Sequence, residues 1–169
     1  ECNILHRDLK CANVFITNNN VYKLGDMNVS KVAAKGLVYT QTGTPYYASP
    51  EVWRDEAYDM KSDIWSLGCV LYEMASGKPP FTANDMQGLF KKVQRGIYER
   101  IPKAYSDDLK NVIGECLKVQ ASLRPTAAQL LRNPIVVKRM KNEGNLELAT
   151  QNSKAQLLNT IEVPKNLKF

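Results

Sequence analysis

The 169-residue sequence contains a single histidine, His6, and four cysteines, Cys2, Cys11, Cys69 and Cys116, that lie far apart. None of the cysteines has a partner at metal-ligand spacing, so a zinc framework is not expected. Reduced thiols in a cytoplasmic protein are the simplest reading. The sequence has no apolar run of membrane-spanning length and no charged segment leading into a short apolar stretch, so neither membrane insertion nor secretion is expected. Acidic residues are in the minority, and the net charge is +6 with a pI near 9.1. The basic residues are nevertheless scattered among acidic neighbours without a basic run or a basic-aromatic pattern, and nucleic-acid binding is not expected. No glycine-rich phosphate loop occurs among the nine glycines. What remains, 44% hydrophobic and 24% charged residues, is the composition of one globular domain.

The chemistry is concentrated near the start. His6-Arg7-Asp8-Leu9-Lys10-Cys11-Ala12-Asn13 puts a carboxylate, an ammonium and a carboxamide into eight residues. Glu1 to Leu5, ahead of it, reads as the tail of a helix. Val14-Phe15-Ile16 and Val21-Tyr22-Lys23-Leu24 read as two strands joined through Thr17-Asn18-Asn19-Asn20, because asparagine tolerates turn conformations. Such a hairpin is expected to return Gly25-Asp26 beside Asn13 and to make Asn13 and Asp26 two oxygen ligands facing one place, a set that suits a hard cation such as Mg²⁺.

Residues 27 to 50 have little periodicity and many hydroxyls, and read as a long functional loop ending in Gly43-Thr44-Pro45-Tyr46-Tyr47-Ala48-Ser49-Pro50-Glu51. Helical spacing then takes over. Ile64, Leu67, Leu71 and Met74 follow a cap at Ser62-Asp63, and Gly77 with Pro79-Pro80 stops the helix. Trp65, Cys69, Val70 and Tyr72 make that helix apolar nearly all round, which predicts a central position. Met86, Leu89, Phe90 and Val93 form a second stripe, closed by Gly96. Leu109, Val112, Ile113, Cys116 and Leu117 form a third behind Ser106, and a further helix starts at Thr126-x-x-Gln129 and runs out near Asn133-Pro134. These stripes are expected to pack a core. Residues 145 to 160 are expected to form one amphipathic helix in a flanking extension.

The eight-residue stretch resembles the catalytic loop of protein kinases, H-R-D-L-K-x-x-N, and Gly25-Asp26 resembles the metal-binding segment that follows it. Ser49-Pro50-Glu51, Asp63-Ile64-Trp65-Ser66-Leu67-Gly68-Cys69, Pro79-Pro80-Phe81 and Leu123-Arg124-Pro125 continue the likeness in order over residues 1 to 137. The resemblance implies a mainly α, protein-kinase-like C-terminal lobe with a short β-hairpin, occupying residues 1–137, and a flanking extension over 138–169. Lys10 and Gly43-Thr44-Pro45 are similar to serine/threonine rather than tyrosine kinases. Gly43 to Glu51, together with Leu157 to Lys165, most resembles NIMA-related (Nek) kinases.

By resemblance, Asp8 is the base for the substrate hydroxyl and Lys10 contacts the γ-phosphoryl group. Asn13 and Asp26 hold Mg²⁺ under ATP, and Thr44 contacts Asp8 and Lys10. His6 is structural, Arg7 pairs with a phosphorylated activation segment, Glu51 pairs with Arg124, and Asp63 holds the catalytic loop. The implied partners are proteins with serine or threonine acceptors. Regulatory or cytoskeletal partners would engage the C-terminal extension, at a centrosome, basal body or cilium.

Met27-Asn28 stands where Phe-Gly is usual, Cys11 where proline is, and Ser49 where alanine is. The glycine-rich loop, strand lysine, partner glutamate and hinge of a kinase are missing from the 169 residues, which are therefore read as a C-lobe fragment expected to transfer phosphate negligibly alone. A catalytically silent scaffold derived from a kinase is the alternative, and the retention of Asp8, Lys10, Asn13 and Asp26 argues for the enzyme. A phosphate on Thr40, or secondarily on Thr42, would add about −1.5 to −2 charge and pair with Arg7. Mass spectrometry of the active whole protein is expected to find Thr40 phosphorylated; an active enzyme unmodified at both threonines contradicts this.

Overall fold

A computed structural model describes residues 4–19, 21–26, 31–32 and 45–142. The chain divides into two compact units, one reaching to Thr126 and one starting at Ala127. In the first unit β1 (Ile4–Leu5) pairs antiparallel with β4 (Lys31–Val32), Ile4 opposite Val32. The expected helix tail is therefore a strand, and the expected loop over residues 27 to 50 is interrupted by strand β4 and by a 3₁₀ turn at Pro45–Tyr47. A two-residue strand is too short to carry an alternating pattern; tertiary pairing and the complete burial of Leu5 against Tyr58 and Val52 make it.

The predicted hairpin is present. β2 (Val14–Ile16) and β3 (Tyr22–Leu24) pair in register Val14 to Leu24, Phe15 to Lys23 and Ile16 to Tyr22. Thr17 closes the turn twice, its amide donating to the Val21 carbonyl at 3.0 Å and its hydroxyl accepting the Val21 amide at 3.1 Å. The Phe15 ring lies across Gly25, where an added Cβ would come within 2.5 Å of its edge, so no larger residue fits without moving the ring.

Downstream of α1 (Pro50–Trp53), the central helix α2 (Met60–Ser76) begins earlier than expected. Asp59 is the cap: its carboxylate accepts the amides of Lys61 and Ser62, and Ser62 Oγ accepts the Asp59 amide, a reciprocal capping box. The expected cap Ser62-Asp63 thus lies inside the first turn. Asp59 and Ser62 are both capping residue types, and the sequence alone does not rank the two starts. Gly77, at φ +74°, takes the left-handed conformation that ends the helix.

Around α2 pack α3 (Met86–Arg95), capped by Asp85, and α4 (Asp107–Cys116), capped by Ser106. Gly68 lets α2 and α4 approach, since a Cβ there would lie 2.7 Å from that of Cys116. The core is aromatic. Trp65 stacks on Phe81 at 5.3 Å, Phe81 meets Tyr98 edge-on, and Tyr98 meets Tyr72 likewise. Leu89, Val93, Ile113 and Leu117 of the expected stripes are buried beside them, whereas Met74 and Met86 face solvent.

The second unit holds α5 (Ala127–Arg132) and α6 (Pro134–Asn142). Asn133-Pro134, read as a stop, is also a start: the Asn133 side chain accepts the Ile135 amide at 2.9 Å and Pro134 occupies the first helical position. The expected helix over residues 145 to 160 lies outside the described residues.

Under the core, Glu51 and Arg124, 5% and 1% exposed, form a two-pronged ion pair with both N···O distances 2.7 Å. The remaining guanidinium protons go to the carbonyls of Lys118, Lys61 and Val119, so all five Arg124 N–H groups are satisfied. Ser62 Oγ donates to Glu51 at 2.7 Å, and the Arg124 guanidinium lies 5.0 Å from the centre of the Trp65 ring. Burial alone would raise the Glu51 carboxyl, but the hydrogen bonds and charge of Arg124 outweigh it and hold the group below its ordinary value of 4.5. The folded-state value is depressed, so the stabilisation is present above about pH 4.5 and is lost as pH falls through the folded-state value. Glu51→Ala or Arg124→Ala is expected to cost ~3–5 kcal/mol in denaturant unfolding at pH 7, because each strands a buried charge. A loss under ~1 kcal/mol would contradict this assignment.

Candidate active site

The site is built on the turn between β1 and the 3₁₀ turn at Cys11–Asn13. As the chain leaves β1, the amides of His6 and Arg7 donate to the two oxygens of Asp63, at 2.9 and 3.0 Å. Arg7 then adopts φ +70°, an uncommon conformation for a non-glycine residue that costs about 1–3 kcal/mol and persists only where the surroundings hold it. Beyond this reversal the Asp8 amide donates to His6 Nδ1 at 3.3 Å. A ring nitrogen that accepts carries no proton, so the His6 proton sits on Nε2 and is donated to the Gly25 carbonyl at 3.2 Å. Both nitrogens of the only histidine are thus occupied in joining the loop to the hairpin.

Asp8, Lys10 and Asn13 come together. Lys10 Nζ lies 2.7 Å from Asp8 Oδ2, and Asn13 Nδ2 donates to the same oxygen at 3.1 Å and to the Asp8 carbonyl at 2.8 Å. Asn13 is buried, while the Asp8 and Lys10 side chains keep 14% and 25% of their surface in solvent. With Nδ2 committed to Asp8, Asn13 has Oδ1 left as a ligand atom. The Asn13 carbonyl accepts the Gly25 amide at 2.9 Å, which sets Asp26 down next in the chain, exposed and at φ +56°. Among the described residues no group of three or more His, Cys, Asp or Glu side chains gathers as a metal site. Asn13 and Asp26, brought near by the backbone bond between Asn13 and Gly25, could each offer oxygen to a cation that takes its other ligands from water and phosphate.

Thr40, Thr42 and Thr44 lie outside the described residues, as do Met27 and Asn28. Tyr47, Glu73, Ser66 and Cys11, which the sequence reading had not connected, gather beside the His6 to Asn13 loop. The Tyr47 hydroxyl donates to the Glu73 carboxylate, Ser66 Oγ donates to the Tyr47 carbonyl at 3.0 Å, and Cys11 Sγ reaches the Val70 carbonyl at 3.8 Å. Burial and then Glu73 push the Cys11 thiol up to about 11, so it stays protonated at neutral pH. The only sequence signal was that Tyr47 falls inside the Gly43 to Glu51 string; nothing in the helical pattern singled out Glu73.

A family model described as the protein kinase domain matches residues 1–136. The chain is 38% identical over 166 residues to the G2-specific protein kinase nimA of Emericella nidulans, covering 98% of this chain and 24% of that protein. It is 42% identical over 142 residues to the human serine/threonine-protein kinase Nek2, covering 83% of this chain and 32% of that protein. With mouse serine/threonine-protein kinase Nek3 the figures are 39% over 173 residues, 98% and 33%. The chain therefore spans about a quarter to a third of the length of these relatives.

Proposed function

The chain belongs to the protein kinase family and resembles its NIMA-related members; from this we propose that the whole protein transfers the γ-phosphoryl group of ATP to serine and threonine hydroxyls of other proteins. The observation that carries this reading is the cluster in which one Asp8 oxygen meets both Lys10 Nζ and Asn13 Nδ2. Phosphoryl transfer asks a protein mainly for placement and charge. Asp8 would accept a hydrogen bond from the incoming hydroxyl and take its proton late in transfer. Lys10, whose ammonium lies against Asp8, would contact the γ-phosphoryl oxygens. Asn13 Oδ1 and Asp26 would hold Mg²⁺, which when bound supplies charge neutralisation at the phosphates.

Residues 1–137 are proposed as the C-terminal lobe of the kinase domain, with residues 138–169 as a flanking extension. Relatives named G2-specific protein kinase motivate a role in cell-cycle control. No helix among the described residues is long and apolar enough to cross a membrane.

The test is γ-phosphoryl transfer from labelled ATP to a protein mixture, followed by phosphoamino-acid analysis. The whole protein should label serine and threonine, and Asp8→Asn should lower kcat by about 10²–10⁴ with little change in the KM for ATP. The 169 residues alone, which contain no glycine-rich loop, should transfer negligibly. Undiminished transfer by Asp8→Asn would overturn the site assignment, and turnover by the isolated 169 residues would overturn the fragment reading.

A further inference from the structure

Asp63 does not hold the catalytic loop unaided. The Tyr58 hydroxyl donates to Asp63 Oδ1 at 2.6 Å, the oxygen that also takes the Arg7 amide. Tyr58 is 7% exposed, and its ring packs with Leu5 of β1 and Val52 of α1. The Arg7 guanidinium lies over the same ring, 6.0 Å from its centre. One side chain therefore touches Arg7 at both ends: its hydroxyl fixes the carboxylate that captures the Arg7 amide, and its ring supports the guanidinium. Arg7 is the residue at positive φ directly ahead of Asp8.

We propose that Tyr58 is a positioning residue for phosphoryl transfer, one that orients Asp63 and thereby sets the turn that places Asp8. The proposal rests on the kinase reading above. Two successive amides hold one oxygen of the carboxylate each, and their hydrogen bonds still tolerate a range of tilt. A third donor, arriving from the segment that precedes the helix, leaves it one orientation. The burial that keeps Tyr58 dry also pushes its phenol well above the ordinary value, with the Asp63 charge adding to the effect, so the hydroxyl remains a donor across the working pH range.

The experiment compares wild type, Tyr58→Phe, Asp63→Asn and the double variant in the whole protein, with Asp8→Asn alongside. Phenylalanine keeps the ring and its contact with Arg7 and removes only the hydroxyl. Losing one hydrogen bond to a charged group is expected to lower kcat about tenfold. The KM values for ATP and protein substrate should stay within about twofold, and Tyr58→Phe should lower kcat no further in the Asp63→Asn background. A tyrosine that only fills the core would not give that split between kcat and KM, nor that non-additivity. Unchanged kcat in Tyr58→Phe, an equal further loss on top of Asp63→Asn, or a Tyr58→Phe protein that fails to fold would each overturn the proposal. If Asp8→Asn is itself fully active, the kinase reading fails instead, so the two failures are distinguishable.

Discussion

The carboxylate of Asp63 accepting the amides of His6 and Arg7 is the contact on which the site depends, because it ties a strained turn to the most deeply buried helix of the unit. A backbone reversal at a non-glycine residue does not hold itself. Here it is held by a charge-assisted pair of hydrogen bonds, a type stronger than neutral ones. Everything after it follows in chain order: the Asp8 amide finds the His6 ring, the ring finds the Gly25 carbonyl, and Asn13 closes on Asp8.

The first turn of α2 serves two anchors at once. Lys61 offers its carbonyl to Arg124, Ser62 donates to Glu51, and Asp63 takes the loop amides. This is possible because Asp59 caps the helix. Had Ser62 or Asp63 been the cap, its side chain would have been spent on its own backbone. Ser62 Oγ does double duty, accepting from Asp59 and donating to Glu51. The Glu51–Arg124 pair and the anchor of the His6 to Asn13 loop thus rest on consecutive residues of one helical turn, Lys61, Ser62 and Asp63.

How far this was legible in the sequence depends on where the information lay. Asp8, Lys10 and Asn13 sit within six residues of one another, so their chemistry could be read locally, and the structure brings them together. The hairpin and the stripes of α3 and α4 carried their own periodicity. Glu51 and Arg124 are 73 positions apart, and only family likeness joined them in advance. Tyr47 and Glu73 lie 26 positions apart and leave no spacing to read, and Tyr58, five positions ahead of Asp63, belongs to none of the helical stripes. Helix α6 was hidden by Ile135-Val136-Val137, whose branched side chains favour strands, and by a proline that ends one helix and opens the next.

The central claim is that one carboxylate at the start of a buried helix holds the catalytic loop in working shape. The turnover of Asp63→Asn in the whole protein at saturating ATP and protein substrate tests it most directly. Asparagine keeps the size and one acceptor but turns an N–H donor towards an amide that is itself a donor. A displacement on the order of 1 Å at the reacting groups is enough to cost ~10² in rate. The account predicts a kcat lower by about that factor in a protein that still folds; a folded Asp63→Asn protein with the kcat of wild type would contradict it.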